Sequence, residues 1–184
     1  NKEDISAFLP KIPHKKNGKR IALIGAGPAS MTVARDLLPL GYDVVMFERD
    51  AKAGGMMRSQ IPAFRLPETV LDEELNYIIN MGLECHFGEE VTSLEKLLQA
   101  HFDAIFVGTG APSGRWLKIP GHDQLEPNFT QPQIDTGINW LAKISFKHLV
   151  YDEKNPAPKK VIVLGGGNTA MDCCRTAKRI GATE

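Results

Sequence analysis

The strongest constraint on this chain is a pattern that it carries twice: four apolar residues, then at once a glycine-rich turn, then a helix-forming run. Ile21-Ala-Leu-Ile24 meets Gly25-Ala-Gly-Pro-Ala-Ser30, and Val161-Ile-Val-Leu164 meets Gly165-Gly-Gly-Asn-Thr-Ala170. A short unbroken apolar run suits a strand buried on both faces, and such strands belong to parallel sheets covered by helices. The first glycines of the two turns lie 140 residues apart, far too long a period for a solenoid repeat. The pattern predicts an α/β chain with two Rossmann-like nucleotide-binding domains.

The rest of the chain fits that frame. Residues 1–18 are polar and broken by Pro10, Pro13 and Gly18, and read as a linker. After the first turn comes a helix with Val33, Ala34, Leu37 and Leu38 on one face, ending near Pro39 and Gly41. Asp43-Val-Val-Met-Phe47 is the next strand, closed by Glu48, which completes a βαβ unit. Residues 51–66 read as a loop. Pro67 is expected at the first position of a helix whose apolar face is Leu71, Leu75, Ile78 and Ile79, with Asp72, Glu73 and Glu74 on its wet face. Leu83–Phe87 reads as a strand, Ser93–Ala100 as a short helix and Asp103–Val107 as a strand. Residues 111–133, with Pro112, Pro120, Pro127 and Pro132, are irregular. A helix is predicted over Thr136–Phe146, and another after the second glycine turn.

Each turn has a chemistry that explains its composition. In a dinucleotide-binding turn the first Gly permits the bend, the second lets backbone approach a pyrophosphate, and the third position needs a small residue for packing. Gly25, Gly27 and the small Ser30 meet those demands. The helix N-terminus then offers unpaired N–H groups and a partial positive charge to phosphate. Glu48 lies 23 residues after Gly25, at the end of the second strand, where a carboxylate accepts hydrogen bonds from ribose hydroxyls. In the second turn Asn168 and Thr169 are expected to cap the helix and to donate to a phosphate. Gly54-Gly55-Met56-Met57-Arg58 reads equally as a surface loop or as backbone lying close to a flat ligand, with Arg58 then facing phosphate. Gly108-Thr109-Gly110 ends a strand where open α/β sheets keep ligands, although a plain turn would look the same.

Other chemistries find little support. Lys and Arg total 22, as do Asp and Glu, so there is no basic excess to recruit nucleic acid or an acidic membrane. No apolar run approaches the roughly 20 residues of a membrane span, and residues 1–10 lack a signal-peptide layout. His14, His86, His101, His122 and His148 show no metal-ligand spacing. Cys85, Cys173 and Cys174 form no CxxC, so no iron–sulfur or zinc site is expected within the chain. Three thiols without a leader fit a reducing cytoplasm. Cys174 is expected as a core thiol, on the face of Ala170 and Ala177. No side chain is singled out as a catalytic acid or base, which is usual where cofactors carry the chemistry. The chain begins without Met and stops in mid-pattern at Glu184, the expectation being an N-terminal fragment.

Taken in order, Gly25-Ala-Gly-Pro-Ala-Ser30, Phe47-Glu48-Arg49, Gly54-Gly55, Ile61-Pro-Ala-Phe-Arg-Leu-Pro67 and Gly165-Gly-Gly-Asn-Thr-Ala-Met-Asp172 resemble the glutamate synthase small-subunit (beta-chain) family of FAD/NAD(P)H oxidoreductases. The electron-input half of dihydropyrimidine dehydrogenase is similar. The resemblance covers about residues 15 to 184, less well over Gly121–Pro158. It implies an FAD domain with an NAD(P)H domain inserted into it. Residues 1–19 would be an N-terminal extension, 20–150 the first part of the FAD-binding domain, and 151–184 the start of the NAD(P)H-binding domain. Family members carry a Cys-rich iron–sulfur domain before the first strand and continue well past this chain's end. Iron–sulfur clusters are therefore expected only outside this segment.

By matching position, the resemblance implies that FAD touches Gly25, Gly27, Pro28, Ala29, Ser30, Glu48, Arg49, Gly54, Gly55, Met56, Arg65, Val91, Thr109 and Gly110. The nicotinamide dinucleotide would lie against Gly166, Gly167, Asn168 and Thr169. Arg58 or Arg65 near the flavin would favour its anionic reduced form. The implied activity passes hydride from NADPH or NADH to FAD and electrons onward to an iron–sulfur protein or partner subunit. The alternatives are an FAD-binding electron-transfer or assembly module with no small-molecule substrate of its own, and a non-enzymatic nucleotide sensor.

Overall fold

The computed structural model describes residues 8, 10–116, 120 and 134–184. Most of the N-terminal extension before Pro10, and His122, Pro127 and Pro132 of the irregular stretch, lie outside the described residues. Two compact units emerge: residues 1–57 with 67–110, and residues 58–66 with 111–184. The second unit thus takes in residues 111–150, which the motif-based division groups with the first strands.

In the first unit, strands β1 (Arg20–Ile24), β2 (Asp43–Glu48), β3 (Glu84–Phe87) and β4 (Ala104–Val107) form one sheet in the order β3-β2-β1-β4. Every pairing is parallel. Helix α1 (Pro28–Leu37) and the 3-10 turn Leu38–Leu40 connect β1 to β2, and Gly41 closes the turn with a φ of 85°. The short helix α2 (Met56–Ser59) falls where the sequence reads as loop; at four residues it is too short to leave a periodic signal. Helix α3 (Glu68–Ile79) takes Pro67 as its N-cap, so it begins one residue later than expected, at Glu68. Helix α4 (Leu94–Gln99) has the Ser93 hydroxyl accepting from the Lys96 N–H.

Burial explains the arrangement. Ala22, Leu23 and Ile24 of β1 and Val44, Val45 and Met46 of β2 are buried, as unbroken apolar runs in central strands should be. The edge strands β3 and β4 are only half-buried. Helix α1 packs on β1, β2 and α3 through Ser30, Met31 and Ala34, with Leu38 beyond its end, while Val33 is half-buried. Leu23 and Met46 are fully buried, and each such side chain contributes about 1.5–3 kcal/mol relative to an exposed one. At the opposite end of the sheet the Asp103 carboxylate accepts from Lys19 Nζ and from the Arg20 N–H, both at 2.8 Å. Those bonds hold its carboxyl below the usual range.

In the second unit, helices α5 (Gly137–Ser145) and α6 (Asn168–Ile180) pack together. A Cβ at Gly137 would lie 3.0 Å from Cys173 Sγ, so glycine is what lets the helices approach. Cys173, not the expected Cys174, is the core thiol: Ala170, Cys173 and Ala177 share one stripe at spacings of three and four, and Cys174, a further 100° round the helix, is exposed. A second expectation also fails. Residues 161–164 form no strand, and Ile162 and Leu164 are 79% and 67% exposed. A parallel strand needs a neighbour to receive its ladder, and among the described residues this unit contains no other strand. No helix among the described residues is long and apolar enough to cross a membrane.

Candidate functional site: two glycine turns at helix N-termini

The first turn lies where β1 and β4 end side by side. The next strand after β1 joins one of its edges and β4 the other, so the chain reverses direction across the sheet here, which is where open α/β sheets hold ligands. Gly25 takes a φ of +90°, and its N–H donates to Phe47 O at 2.8 Å. A Cβ there would sit 2.7 Å from Gly108 O, so glycine is required twice over, by conformation and by space. Gly27 differs: its backbone is extended and a Cβ would meet nothing within 4 Å. That open side is the cradle a pyrophosphate would fill. Helix α1 starts directly after it with Pro28 and Ala29 exposed, no side-chain cap and no acid in the first turn. The N–H groups of the first turn and the positive end of the helix therefore stay available to an anion. Ser30 is fully buried, and a Cβ on Gly108 would overlap its Oγ, so the serine side chain serves packing.

Around this turn the other predicted residues fall into two groups. Glu48 is 7% exposed; its Oε2 accepts from the Ala26 N–H at 2.6 Å and its Oε1 from the Asp50 N–H at 2.9 Å. The carboxylate thus braces the turn, and a carboxylate's remaining lone pairs can still accept from ribose hydroxyls. Gly54 donates to Ala26 O at 2.9 Å, and a Cβ on Gly55, at a φ of +50°, would come 2.9 Å from Gly27 Cα. The glycine pair is therefore part of the same site, which the sequence reading left open. Thr109 and Gly110 are exposed beyond β4, adjoining Gly108, whose N–H bonds to Ile24 O. Met56 and Arg49 are exposed, Arg49 lying 3.9 Å from Asp50, and Val91 is half-buried in the loop after β3.

The second turn repeats the essentials. Gly165 has a φ of +133°, and Cβ atoms on Gly166 or Gly167 would meet nothing within 4 Å. Gly167, not a side chain, is the N-cap of α6: Asn168 and Thr169 already lie in the helical first turn, and no side-chain cap bond forms. The capping role expected of them is therefore absent. Their exposed first turn, without an acid, leaves the helix N-terminus open to phosphate.

Arg65 occupies a position that sequence reasoning did not foresee. Its Nη1 donates to Asp172 Oδ2 at 2.7 Å, and Asp172 is 4% exposed on α6. Next to it, Phe64 lies under Arg175 and Arg179, with guanidinium-to-ring distances of 4.7 and 3.8 Å. The sequence signal for Asp172 is a carboxylate on the same helical stripe as Cys173, Thr176 and Ala177, a position that calls for a counter-ion. No group of three or more His, Cys, Asp or Glu among the described residues is placed to hold a metal ion.

Comparison with known proteins gives the family of the chain. The family model for pyridine nucleotide-disulphide oxidoreductases matches residues 19–183. The chain is 35% identical over 181 residues to the glutamate synthase [NADPH] small chain of Mycobacterium tuberculosis (strain CDC 1551 / Oshkosh), covering 94% of this chain and 36% of that one. It is 32% identical over 174 residues to the NAD-dependent dihydropyrimidine dehydrogenase subunit PreT of Salmonella typhimurium (strain LT2), covering 92% and 38%. Among solved structures, Mycobacterium tuberculosis FprA in complex with NADPH shares the fold with a TM-score of 0.68 at 21% identity, over 85% of this chain and 36% of that one. The chain thus spans little more than a third of the length of these relatives, and it belongs to the pyridine nucleotide-disulphide oxidoreductase family.

Proposed function

We propose that this chain is the dinucleotide-binding part of an oxidoreductase that binds FAD at the first glycine turn and NADPH or NADH at the second. The observation that carries the reading is the matched pair of cradles: Gly27 and Gly166-Gly167 each leave open space before a helix N-terminus that has neither a cap nor an acid. In this reading residues 20–150 supply the first part of the FAD domain and 151–184 open the NAD(P)H domain. Gly25, Gly27, Pro28, Ala29 and the Ser30 N–H would hold the pyrophosphate of FAD, with Glu48 on its ribose. Gly54, Gly55, Met56, Arg49, Val91, Thr109 and Gly110 would line the rest. Gly166, Gly167, Asn168 and Thr169 would hold the nicotinamide dinucleotide.

Bound FAD would supply the chemistry, accepting hydride and releasing electrons singly. The chain's own residues bind and orient. The helix N-termini of α1 and α6 offer N–H groups to the two pyrophosphates, and Glu48 keeps the first turn in shape through Ala26. The electrons would pass to a partner subunit or iron–sulfur protein; the relatives are themselves named as a small chain and a subunit. Three free thiols suit a reducing cytoplasm.

The test is a visible spectrum of the purified protein, mass identification of any released cofactor, and anaerobic reduction by NADH and by NADPH in parallel. A flavin band that bleaches with one of the two donors supports the reading and names the donor. A colourless protein that does not take up added FAD would overturn it.

A further inference from the structure

Asp172 is a buried carboxylate that the proposed chemistry does not use. Its partner is Arg65, at 2.7 Å through Oδ2, while Oδ1 has no hydrogen-bond partner. A charge buried to this degree is costly unless it is paired, so the contact is under strong constraint. The two residues also belong to separate motifs. Arg65 lies in Ile61–Pro67, and Asp172 stands five residues after the N-cap of α6, about 7 Å along the helix axis. Phe64, beneath Arg175 and Arg179, grips the next two turns of the same helix.

Chain connectivity gives this contact its meaning. Residues 58–66 belong to the second unit, although the residues on either side of them belong to the first. Ten residues before Arg65, Gly55 lies against Gly27, and Gly54 is bonded to Ala26 O at 2.9 Å. Within the second unit, segment 58–66 packs on α6 through Arg65 and Phe64. The pairing also bears on Arg65 as a charge for the reduced flavin: a guanidinium neutralised by a buried carboxylate is a poor counter-ion for anything else.

We propose that Asp172 and Arg65 are positioning residues, a clip within the second unit that holds the N-terminal turns of α6 against segment 58–66 and so fixes the glycine turn proposed to hold the nicotinamide dinucleotide. This rests on the reading of the two turns as FAD and NAD(P)H sites. Misplacement of a reacting group by about 1 Å can cost about 100-fold in rate, so a clip remote from the chemistry can govern it.

The experiment uses the FAD-loaded protein with Asp172→Asn, Arg65→Ala, the double variant and Arg65→Lys. It reads anaerobic flavin bleaching against NAD(P)H concentration, and amide hydrogen exchange of residues 58–66 and of α6. Asp172→Asn should retain full flavin absorbance, lose roughly 10- to 100-fold in limiting bleaching rate, and exchange faster in both segments. The double variant should be no slower than the worse single variant, because both act through one contact. Arg65→Lys, which keeps the charge, should recover most of the rate. Additive losses, or exchange that loosens while the limiting rate stays at the wild-type value, would overturn the clip and leave the cofactor reading standing. A wild-type protein that takes up no flavin would overturn both.

Discussion

Glu48 Oε2 accepts the Ala26 N–H at 2.6 Å, so the acid that ends β2 holds the turn that ends β1. Its other oxygen accepts from the Asp50 N–H, and the carboxylate closes both connections at once. Glutamine cannot replace it: one amide oxygen serves one of the two donors, and the NH2 group faces the other. Glu48→Gln should lower the stability of the cofactor-free protein by about 1–3 kcal/mol, the cost of leaving a buried donor unmet. FAD affinity should fall as well, since the turn loses its brace and the proposed ribose contact is weakened. Urea unfolding without FAD, followed by FAD titration, checks the two effects separately. Unchanged stability with weakened FAD would show that the brace is dispensable and only the ribose contact matters.

The glycines sort into two classes that respond in opposite ways. At Gly25 a Cβ would strike Gly108 O at a φ of +90°, and at Gly55 it would strike Gly27 Cα. Alanine at either position should destabilise the fold itself. Gly27 and Gly167 have extended backbone and empty space, so alanine there should leave stability within about 0.5 kcal/mol of wild type. Gly27→Ala should nonetheless abolish FAD uptake, and Gly167→Ala should abolish reduction by NAD(P)H while FAD stays bound. Thermal melts and the flavin spectrum of the four variants suffice. Normal FAD uptake by Gly27→Ala would remove the pyrophosphate from that cradle.

Ser30 separates side-chain from backbone roles. Its Oγ is buried without a hydrogen-bond partner, pressed toward Gly108, while its N–H lies in the open first turn of α1. Deleting an unpartnered buried hydroxyl removes a desolvation cost. Ser30→Ala should therefore be as stable as wild type or more so, with FAD affinity unchanged. A clear loss of FAD in isothermal titration would mean that the hydroxyl turns to meet the ligand.

The legible parts of this structure were those written in local sequence. Ile21–Ile24 with Gly25 and Gly27 gave the first strand and turn because periodicity and glycine placement act within a few residues. Glu48 was found from its distance along the chain, but its bond to Ala26 was not, since that depends on how two strand ends meet. Val161–Leu164 form no strand for a related reason: an apolar run states a willingness to pair, and pairing needs a neighbouring strand, of which the second unit has none among its described residues. The Arg65–Asp172 pair spans 107 residues, and no local pattern records it. Cys173 and Cys174 are hard to tell apart from sequence because adjacent helical positions differ by only 100°.

Those thiols also set a pH dependence. Burial, the main cause, pushes Cys85 and Cys173 each up to about 11, with Glu84 adding to the first and Cys174 and Asp172 to the second. In the unfolded chain a thiol ionises near 8.5. Between about 8.5 and 11 the unfolded state has therefore lost protons that the native state keeps, and stability falls as pH rises through that window. Below it the native preference costs nothing; above about 11 both states are ionised and the thiol contribution levels off. Cys85→Ala and Cys173→Ala should each flatten the decline of the urea midpoint between pH 8.5 and 10.5 relative to wild type. At pH 7.5 a maleimide should label the exposed Cys174 first and the half-buried Cys85 more slowly, the buried Cys173 reacting only as the protein opens. A variant whose midpoint falls as steeply as wild type would show that its thiol ionises freely in the folded protein.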